Sequence, residues 1–313
     1  METIVINHPH QFKRDSLPPL ILALGYFDGI HIGHQRVIST AVELAETTGS
    51  IPAVMSFHPH PSVVLGKADE TWTYLTPLEE KKKILKSMGV KRFFLVKFDL
   101  DFASLSTVDF VDQYIVGLNV QHVVTGFDFT YGKYGKGNVQ TLVNEADGRF
   151  GQTVIEKIEK NGQKISSTLI RQCLKEGLVH EIGPFLGRHY TLNGTVIHGD
   201  KRGRTIGFPT ANIETEEYTL PKVGVYAVEV SVDHKKYFAM ANVGHKPTFK
   251  DNQKKPSLEV HIFDFQKEIY GKTISVTWLK RIRNEKKFSS INELIEQLKK
   301  DKQQTLEIIQ TMY

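Results

Sequence analysis

Two glycine-rich segments bring together residue types suited to phosphate chemistry. The first is Gly25-Tyr26-Phe27-Asp28-Gly29-Ile30-His31-Ile32-Gly33-His34. His31 and His34 are three apart, so on the first turn of a helix both can face one point. A helix N-terminus already favours anions through its free N–H groups and dipole. Two imidazoles there can donate hydrogen bonds to a phosphoryl group as charge builds in the transition state. No covalent intermediate is needed, because such transfers run on positioning and charge stabilisation. Gly25, Phe27, Asp28 and Gly33 complete this candidate phosphate site. The second segment, Ile197-His198-Gly199-Asp200-Lys201-Arg202-Gly203-Arg204, is a basic turn in which Gly199, Lys201, Gly203 and Arg204 are candidate phosphate contacts. Pro209-Thr210-Ala211-Asn212 follows closely. The Thr210 hydroxyl and Asn212 carbonyl are hard oxygen ligands, a sensible half-shell for Mg²⁺. Neither segment is a Walker A loop, so the chain reads as performing two separate reactions on phosphorylated compounds.

Further candidates lie between and beyond these. Ser166, Ser167 and Thr168 stand at a helix start, with Arg171 one turn further in. They suit phosphate oxygens, although a plain helix cap with a surface arginine would look the same. Gly126-Phe127-Asp128-Phe129-Thr130-Tyr131-Gly132 offers aromatics and one carboxylate. That suits a flat ring held by stacking and a polar anchor, or simply a loop with buried rings. Glu259, in an otherwise mostly apolar strand, is the candidate base for an attacking hydroxyl. Periodicity alone would point it to solvent. Arg281 and Arg283 can reach a ligand or decorate the surface.

The elements that must position these residues change character along the chain. Leu20–Leu24 is a short apolar strand ending at Gly25. A helix follows over Gln35–Thr48, with Val37, Ile38, Ala41, Leu44 and Ala45 on one face and Gly49 as its stop. Strands over Ile51–Phe57, Phe93–Phe98 and Val120–Thr125 alternate with helices over Leu78–Met88 and Val108–Leu118. Such alternation predicts a parallel sheet with helices on its faces. After Leu186 the spacing predicts strands over Tyr190–His198, Val225–Val232, Tyr237–Val243, Leu258–Phe265 and Thr273–Leu279, with turns and no helix between them. An antiparallel sheet or small barrel is expected there. An amphipathic helix over Ile291–Met312 ends the chain. The domains are therefore drawn at residues 1–185 and 186–313.

With 313 residues, 40% hydrophobic and 24% charged, the composition is that of a globular protein long enough for two domains. A single cysteine, Cys173, excludes an internal disulfide and a cysteine-based zinc site. No apolar run reaches membrane-span length, and the N-terminal residues lack a secretory pattern, so cytoplasmic residence without membrane association is expected. The net charge of +5 is uneven: 19 Lys+Arg oppose 20 Asp+Glu in residues 1–186, and 21 oppose 15 in the rest. The basic half suits nucleic acid or phosphorylated small molecules. It shows no recognisable RNA-binding motif, which favours small-molecule substrates. No oligomeric state is specified.

GYFDGIHIGH together with ISSTLIR resembles the nucleotidyltransferase domain of bacterial bifunctional riboflavin kinase/FAD synthetases, and SFHPHPSVVL, VVTGFDFTYG and FASLSTVDFV match that family too. GRTIGFPTAN, LPKVGVYAVEV, ANVGHKPTF, SLEVHIFDF and RIRNEKKF resemble its riboflavin kinase domain. The resemblance implies a Rossmann-like α/β FMN adenylyltransferase domain, then a six-stranded antiparallel β-barrel riboflavin kinase domain with a C-terminal helix. It implies that riboflavin is phosphorylated to FMN and FMN adenylylated to FAD, with ATP as co-substrate and Mg²⁺ as cofactor. His31 and His34 are assigned to ATP phosphates, and Ser166, Ser167, Thr168 and Arg171 to the triphosphate. Asp128, with Phe129 and Tyr131, is assigned to the flavin side, and Arg281 and Arg283 are candidates to reach flavin or phosphate. Thr210 and Asn212 are assigned to Mg–ATP, the Gly199–Arg204 turn to its phosphates, and Glu259 to the base role. Two positions depart from the common family wording: His58 where an acid often precedes Pro-His-Pro, and Tyr134 where an arginine is frequent.

Overall fold

The computed structural model describes residues 1–66, 72–160, 162–199, 202–215, 217–245 and 256–312. Lys201, a candidate phosphate contact, lies outside the described residues. The chain divides into two compact units, Met1–Ser167 and Thr168–Tyr313.

The first unit is built on six parallel strands: β1 (Glu2–Ile6), β2 (Leu20–Leu24), β3 (Ile51–His58), β4 (Arg92–Lys97), β5 (Val120–Gly126) and β6 (Gly151–Ile155). Their order across the sheet is β1-β4-β3-β2-β5-β6. All five residues of β2 are buried, as expected of a central parallel strand covered on both faces. Its odd and even positions serve different cores. Leu20, Leu22 and Leu24 pack with Met55, Phe94, Val96, Tyr114 and Val123. Ile21 and Ala23 pack with Val54, Phe93, Leu95 and Val124 and with the helices α1 (Ile32–Thr48) and α2 (Leu78–Ser87), through Val37, Ile38, Ala41 and Leu85. β2 lies where the order reverses, with β3 and β4 to one side and β5 and β6 to the other. Open α/β sheets bind ligands at the carboxyl ends of strands at such a switch point.

The expected helix over Val108–Leu118 is a short α-helix, Thr107–Phe110, continued by a π-helical stretch, Val111–Val116. Strands β1 and β6 and the helix Val139–Ala146 were not expected from the sequence.

In the second unit, α3 (Ser167–Glu176) and α4 (Val179–Leu186) precede the strands β7 (Thr191–Ile197), β8 (Ala211–Glu214), β9 (Gly224–Val232), β10 (Lys235–His245), β11 (Pro256–Ile262) and β12 (Thr273–Arg283). These close into an antiparallel barrel in the order β7-β8-β11-β10-β9-β12. A short helical turn, Arg202–Thr205, interrupts the connection from β7 to β8, where a plain turn was expected. The final helix α5 (Ile291–Met312) covers the barrel through Ile308 and Ile309, which pack on Ala227, Leu279 and Ile282. From α3, Arg171 donates to Thr219 Oγ1 (3.2 Å), and Leu174 O accepts from Lys222 N (2.8 Å). These bonds tie α3 to the second unit.

Candidate active sites

The histidine turn connects β2 to α1 at the switch point. His31 is the N-cap of α1, and its Nδ1 accepts the His34 backbone N–H at 3.2 Å. The two rings stack with centroids 3.6 Å apart and planes 18° apart. Gly33 permits this, since a Cβ there would lie 3.1 Å from His31 Cε1. Phe27 and Ile30 adopt positive φ (55° and 40°), an uncommon backbone state that the surrounding structure must enforce. The enforcing bonds are plain. Tyr26 O accepts from Lys81 Nζ (2.8 Å) and Ser56 Oγ (2.7 Å). The Asp28 carboxylate accepts the N–H groups of Leu75 and Thr76, both at 3.0 Å. Asp28 O accepts from Ser167 Oγ (2.8 Å), and Ile30 O from Gln35 Nε2 (2.8 Å). Phe27 is buried and meets the His34 ring edge-on, so its side chain braces the histidine.

Both histidines are held neutral. Burial pushes His31 from 6.5 down to about 4, although Asp128 and Asp28 pull it up. Burial, with His31 and Lys81 nearby, pushes His34 well below its ordinary value. Because His31 Nδ1 accepts a hydrogen bond, its proton sits on Nε2. The turn therefore presents a neutral donor at a helix N-terminus, the right polarity for a phosphate oxygen.

Of the other sequence candidates in this unit, Asp128 stands at the end of β5, exposed, paired with Lys164 Nζ at 2.7 Å. Lys164 also lies over the Phe127 ring at 4.5 Å. Phe129 is half-buried and stacks on Tyr131. Tyr131 itself is core: it is 6% exposed, with its hydroxyl donating to Glu145 (2.6 Å). Ser166 and Ser167 belong to the first unit, Thr168 and Arg171 to the second. Lys81 was missed by sequence reasoning. It is 4% exposed, and its ammonium sits beneath the turn, 4.7 Å over the Tyr26 ring.

The barrel site gathers on β8 and β11. Asn212 and Glu259 are directly opposed in the antiparallel ladder, and Asn242 of β10 opposes Glu259 on its other side. Opposed residues share a sheet face, so the three form one row. Asn212 is buried, Glu259 half-buried, and Thr210 Oγ1 lies 3.5 Å from Glu259 Oε2. His261 Nδ1 donates to Pro209 O at 2.7 Å, which fixes the segment carrying Thr210. Gly199 lies against the Asn212 amide, and Gly203 against Phe208 O, so no side chain fits at either. Arg204 donates to the Tyr270 hydroxyl (3.2 Å), and His198 packs on the Tyr270 ring. Asn242 was not singled out from the sequence; its only signal was its place in the ANVG run. The two arginines are committed within the fold. Arg281 donates to Val223 O (2.6 Å) and Asn284 Oδ1 (2.8 Å). Arg283 forks onto the buried Asp301 of α5, at 2.8 Å from Nε and 2.7 Å from Nη2.

The FAD synthetase family matches residues 13–169, and the riboflavin kinase family matches residues 186–309. The chain belongs to the bifunctional riboflavin kinase/FMN adenylyltransferase family. A Bacillus subtilis member so named is 51% identical over 308 residues, covering 98% of each chain. A Listeria monocytogenes member is 47% identical, covering 97% of each. A crystal structure of a Streptococcus pneumoniae protein, described as a macrolide-efflux protein, superposes with a TM-score of 0.86 at 37% identity, over 97% of this chain and 98% of that one. The chain thus joins an FAD synthetase domain to a riboflavin kinase barrel. No helix among the described residues is long and apolar enough to cross a membrane.

Proposed function

We propose that the barrel transfers the γ-phosphoryl group of ATP to riboflavin, giving FMN and ADP, and that the first unit joins FMN to ATP, giving FAD and pyrophosphate. The domains carrying these reactions are assigned to residues 186–313 and 1–185. In the first unit, an FMN phosphate oxygen attacks the α-phosphorus of ATP, and the bond to the β-phosphate oxygen breaks. His31 Nε2–H, with His34 stacked beside it, donates to the phosphate oxygens on which charge grows. Gly25 and Gly33 give close backbone approach. Ser166, Ser167, Thr168 and Arg171 complete the triphosphate contacts. Asp128 and Phe129 face the flavin, while Phe27, Asp28 and Tyr131 brace the walls.

In the barrel, Glu259 takes the proton of the flavin hydroxyl as its oxygen bonds to phosphorus. Thr210 and Asn212 place hard oxygens beside that carboxylate, a donor set that fits Mg²⁺. These two residues would hold the ion, which when bound neutralises phosphate charge. The Gly199–Arg204 turn covers the phosphates, and Arg281 and Arg283 shape the far side. Such ATP-consuming cofactor synthesis suits the cytoplasm.

One observation carries the adenylyl-transfer reading: two stacked neutral imidazoles stand at a helix N-terminus at the sheet's switch point, one of them its cap. The test is one incubation of the protein with riboflavin, ATP and Mg²⁺, with flavins resolved over time. FMN appearing first and then FAD is the expected result. Folded protein that converts neither riboflavin nor supplied FMN would overturn the reading.

A further inference from the structure

Lys81 is a buried charged group of the first unit that the reaction scheme leaves unused. It lies on α2, four residues before the core residue Leu85, and shares that buried face. Its hydrogen-bond and ring contacts are neutral groups, the Tyr26 carbonyl (2.8 Å), the Ser56 hydroxyl (3.3 Å) and the face of the Tyr26 ring, while the Asp28 carboxylate acts on it through space. A buried ammonium is unfavourable unless its charge is compensated, and burial outweighs the Asp28 carboxylate here. Tyr26 immediately precedes Phe27, the residue whose positive φ aims its ring at His34. The cation thus fixes the peptide on which the shape of the histidine turn depends.

We propose that Lys81 is a positioning residue for adenylyl transfer, an internal cation that locks the histidine turn from beneath and supplies the positive potential that the bound triphosphate completes. This rests on the adenylyltransferase reading of that turn. The groups facing Lys81 are Asp28 on the turn, His34 on α1, Ser56 on β3 and Tyr26, whose ring is packed in turn by His60. Of these, His34 is held neutral by burial. Burial pushes the Lys81 ammonium from 10.5 down to about 8, with Asp28 opposing. A triphosphate close above the turn favours the charged form, so binding ATP above pH 8 must draw a proton onto Lys81. ATP affinity at this site therefore weakens as pH rises through that value. Phosphate oxygens ionise near pH 6, well below this window.

The test compares the full-length protein with Lys81→Met and Lys81→Arg, measuring KM for ATP and kcat in FAD formation from FMN between pH 7 and 9.5. FMN formation from riboflavin in the same samples serves as the control. The wild type should show KM for ATP rising above about pH 8. Lys81→Met should lose roughly 10–100-fold in kcat/KM, the scale of a hydrogen bond to a charged group, and show no rise with pH. Lys81→Arg, always charged, should keep the low-pH KM across the range. FMN formation should not change in either. A purely structural lysine would lower thermal stability and leave the pH dependence of KM intact. That outcome in Lys81→Met, or a wild-type KM for ATP flat to pH 9.5 while FAD formation proceeds, would overturn the inference. The wild-type profile decides the matter even where Lys81→Met fails to fold.

Discussion

His31 carries two separable duties, and the structure says how to part them. In the proposed reaction its Nε2–H is the donor offered to the phosphates, while its Nδ1 caps α1 by accepting the His34 N–H. His31→Ala removes both. Loss of one preorganised donor to a developing phosphate charge should lower kcat for FAD formation by about 10²–10³-fold. Loss of the cap should cost about 1 kcal/mol of stability in the first unit. His31→Asn separates the two. A short side-chain oxygen at an N-cap can take over the His34 N–H, but it cannot reach where Nε2 stood. Stability should return in His31→Asn while FAD formation stays at the His31→Ala level. The assay is flavin chromatography with riboflavin or FMN as the starting substrate, alongside thermal unfolding. FMN formation from riboflavin should be unchanged in both variants, because the barrel holds its own residues. Restored FAD formation in His31→Asn would refute the donor assignment. Equal loss of both activities in a folded His31→Ala protein would refute the separation of sites.

Other expectations follow from particular contacts. Glu259→Gln keeps the row with Asn212 and Asn242 but removes the base; FMN formation should fall about 10²–10⁴-fold, with FAD formation from supplied FMN intact. Gly199→Ala would drive a methyl into the Asn212 amide and should lower FMN formation at least about tenfold, measured in the same way. Asp301→Ala leaves the Arg283 guanidinium without its buried partner and should destabilise the second unit by about 3–5 kcal/mol in denaturant unfolding. His31 has a folded value of about 4 against 6.5 unfolded, so between these the unfolded chain binds more protons. His31 should therefore contribute about 3 kcal/mol of lost stability to the first unit as pH falls from 6.5 to 4, a contribution removed in His31→Asn, while the loss due to His34 remains.

Much of the fold can be read from local pattern. The all-apolar run LILAL closed by Gly25 marks a central strand, and helical spacing closed by Gly49 marks α1. What escapes is whatever depends on distant partners. β8 has four residues and takes its identity from pairing with β7 and β11. β1 is mostly exposed and exists because it adds to the edge at β4. Tyr131 looks like a ligand-stacking ring in a glycine loop, yet it packs beside Phe110 in the core and bonds to Glu145. The commitment of Arg283 became visible only when α5 brought Asp301 to it. Lys81 sits in the charged run Glu79-Glu80-Lys81-Lys82-Lys83, which reads as a solvated face. Its helical phase was the available signal, since position i−4 from Leu85 shares the buried face.

The glycines of the two motifs carry a common physical meaning. At Gly33 a Cβ would press on the His31 ring, and at Gly199 it would meet the Asn212 amide. In each case backbone lies directly against the functional side chain and limits where it can go. The histidine turn adds a second device: its carbonyls at Tyr26, Asp28 and Ile30 are all tied down, by Lys81 and Ser56, Ser167, and Gln35 respectively. Rigidity is what phosphoryl and adenylyl transfer demand, because donors that must reorient as charge develops give back part of what they stabilise. A turn so heavily anchored holds its donor in place before substrate arrives. A buried lysine in α2 thus serves the shape of the histidine turn as well as the packing of its own helix.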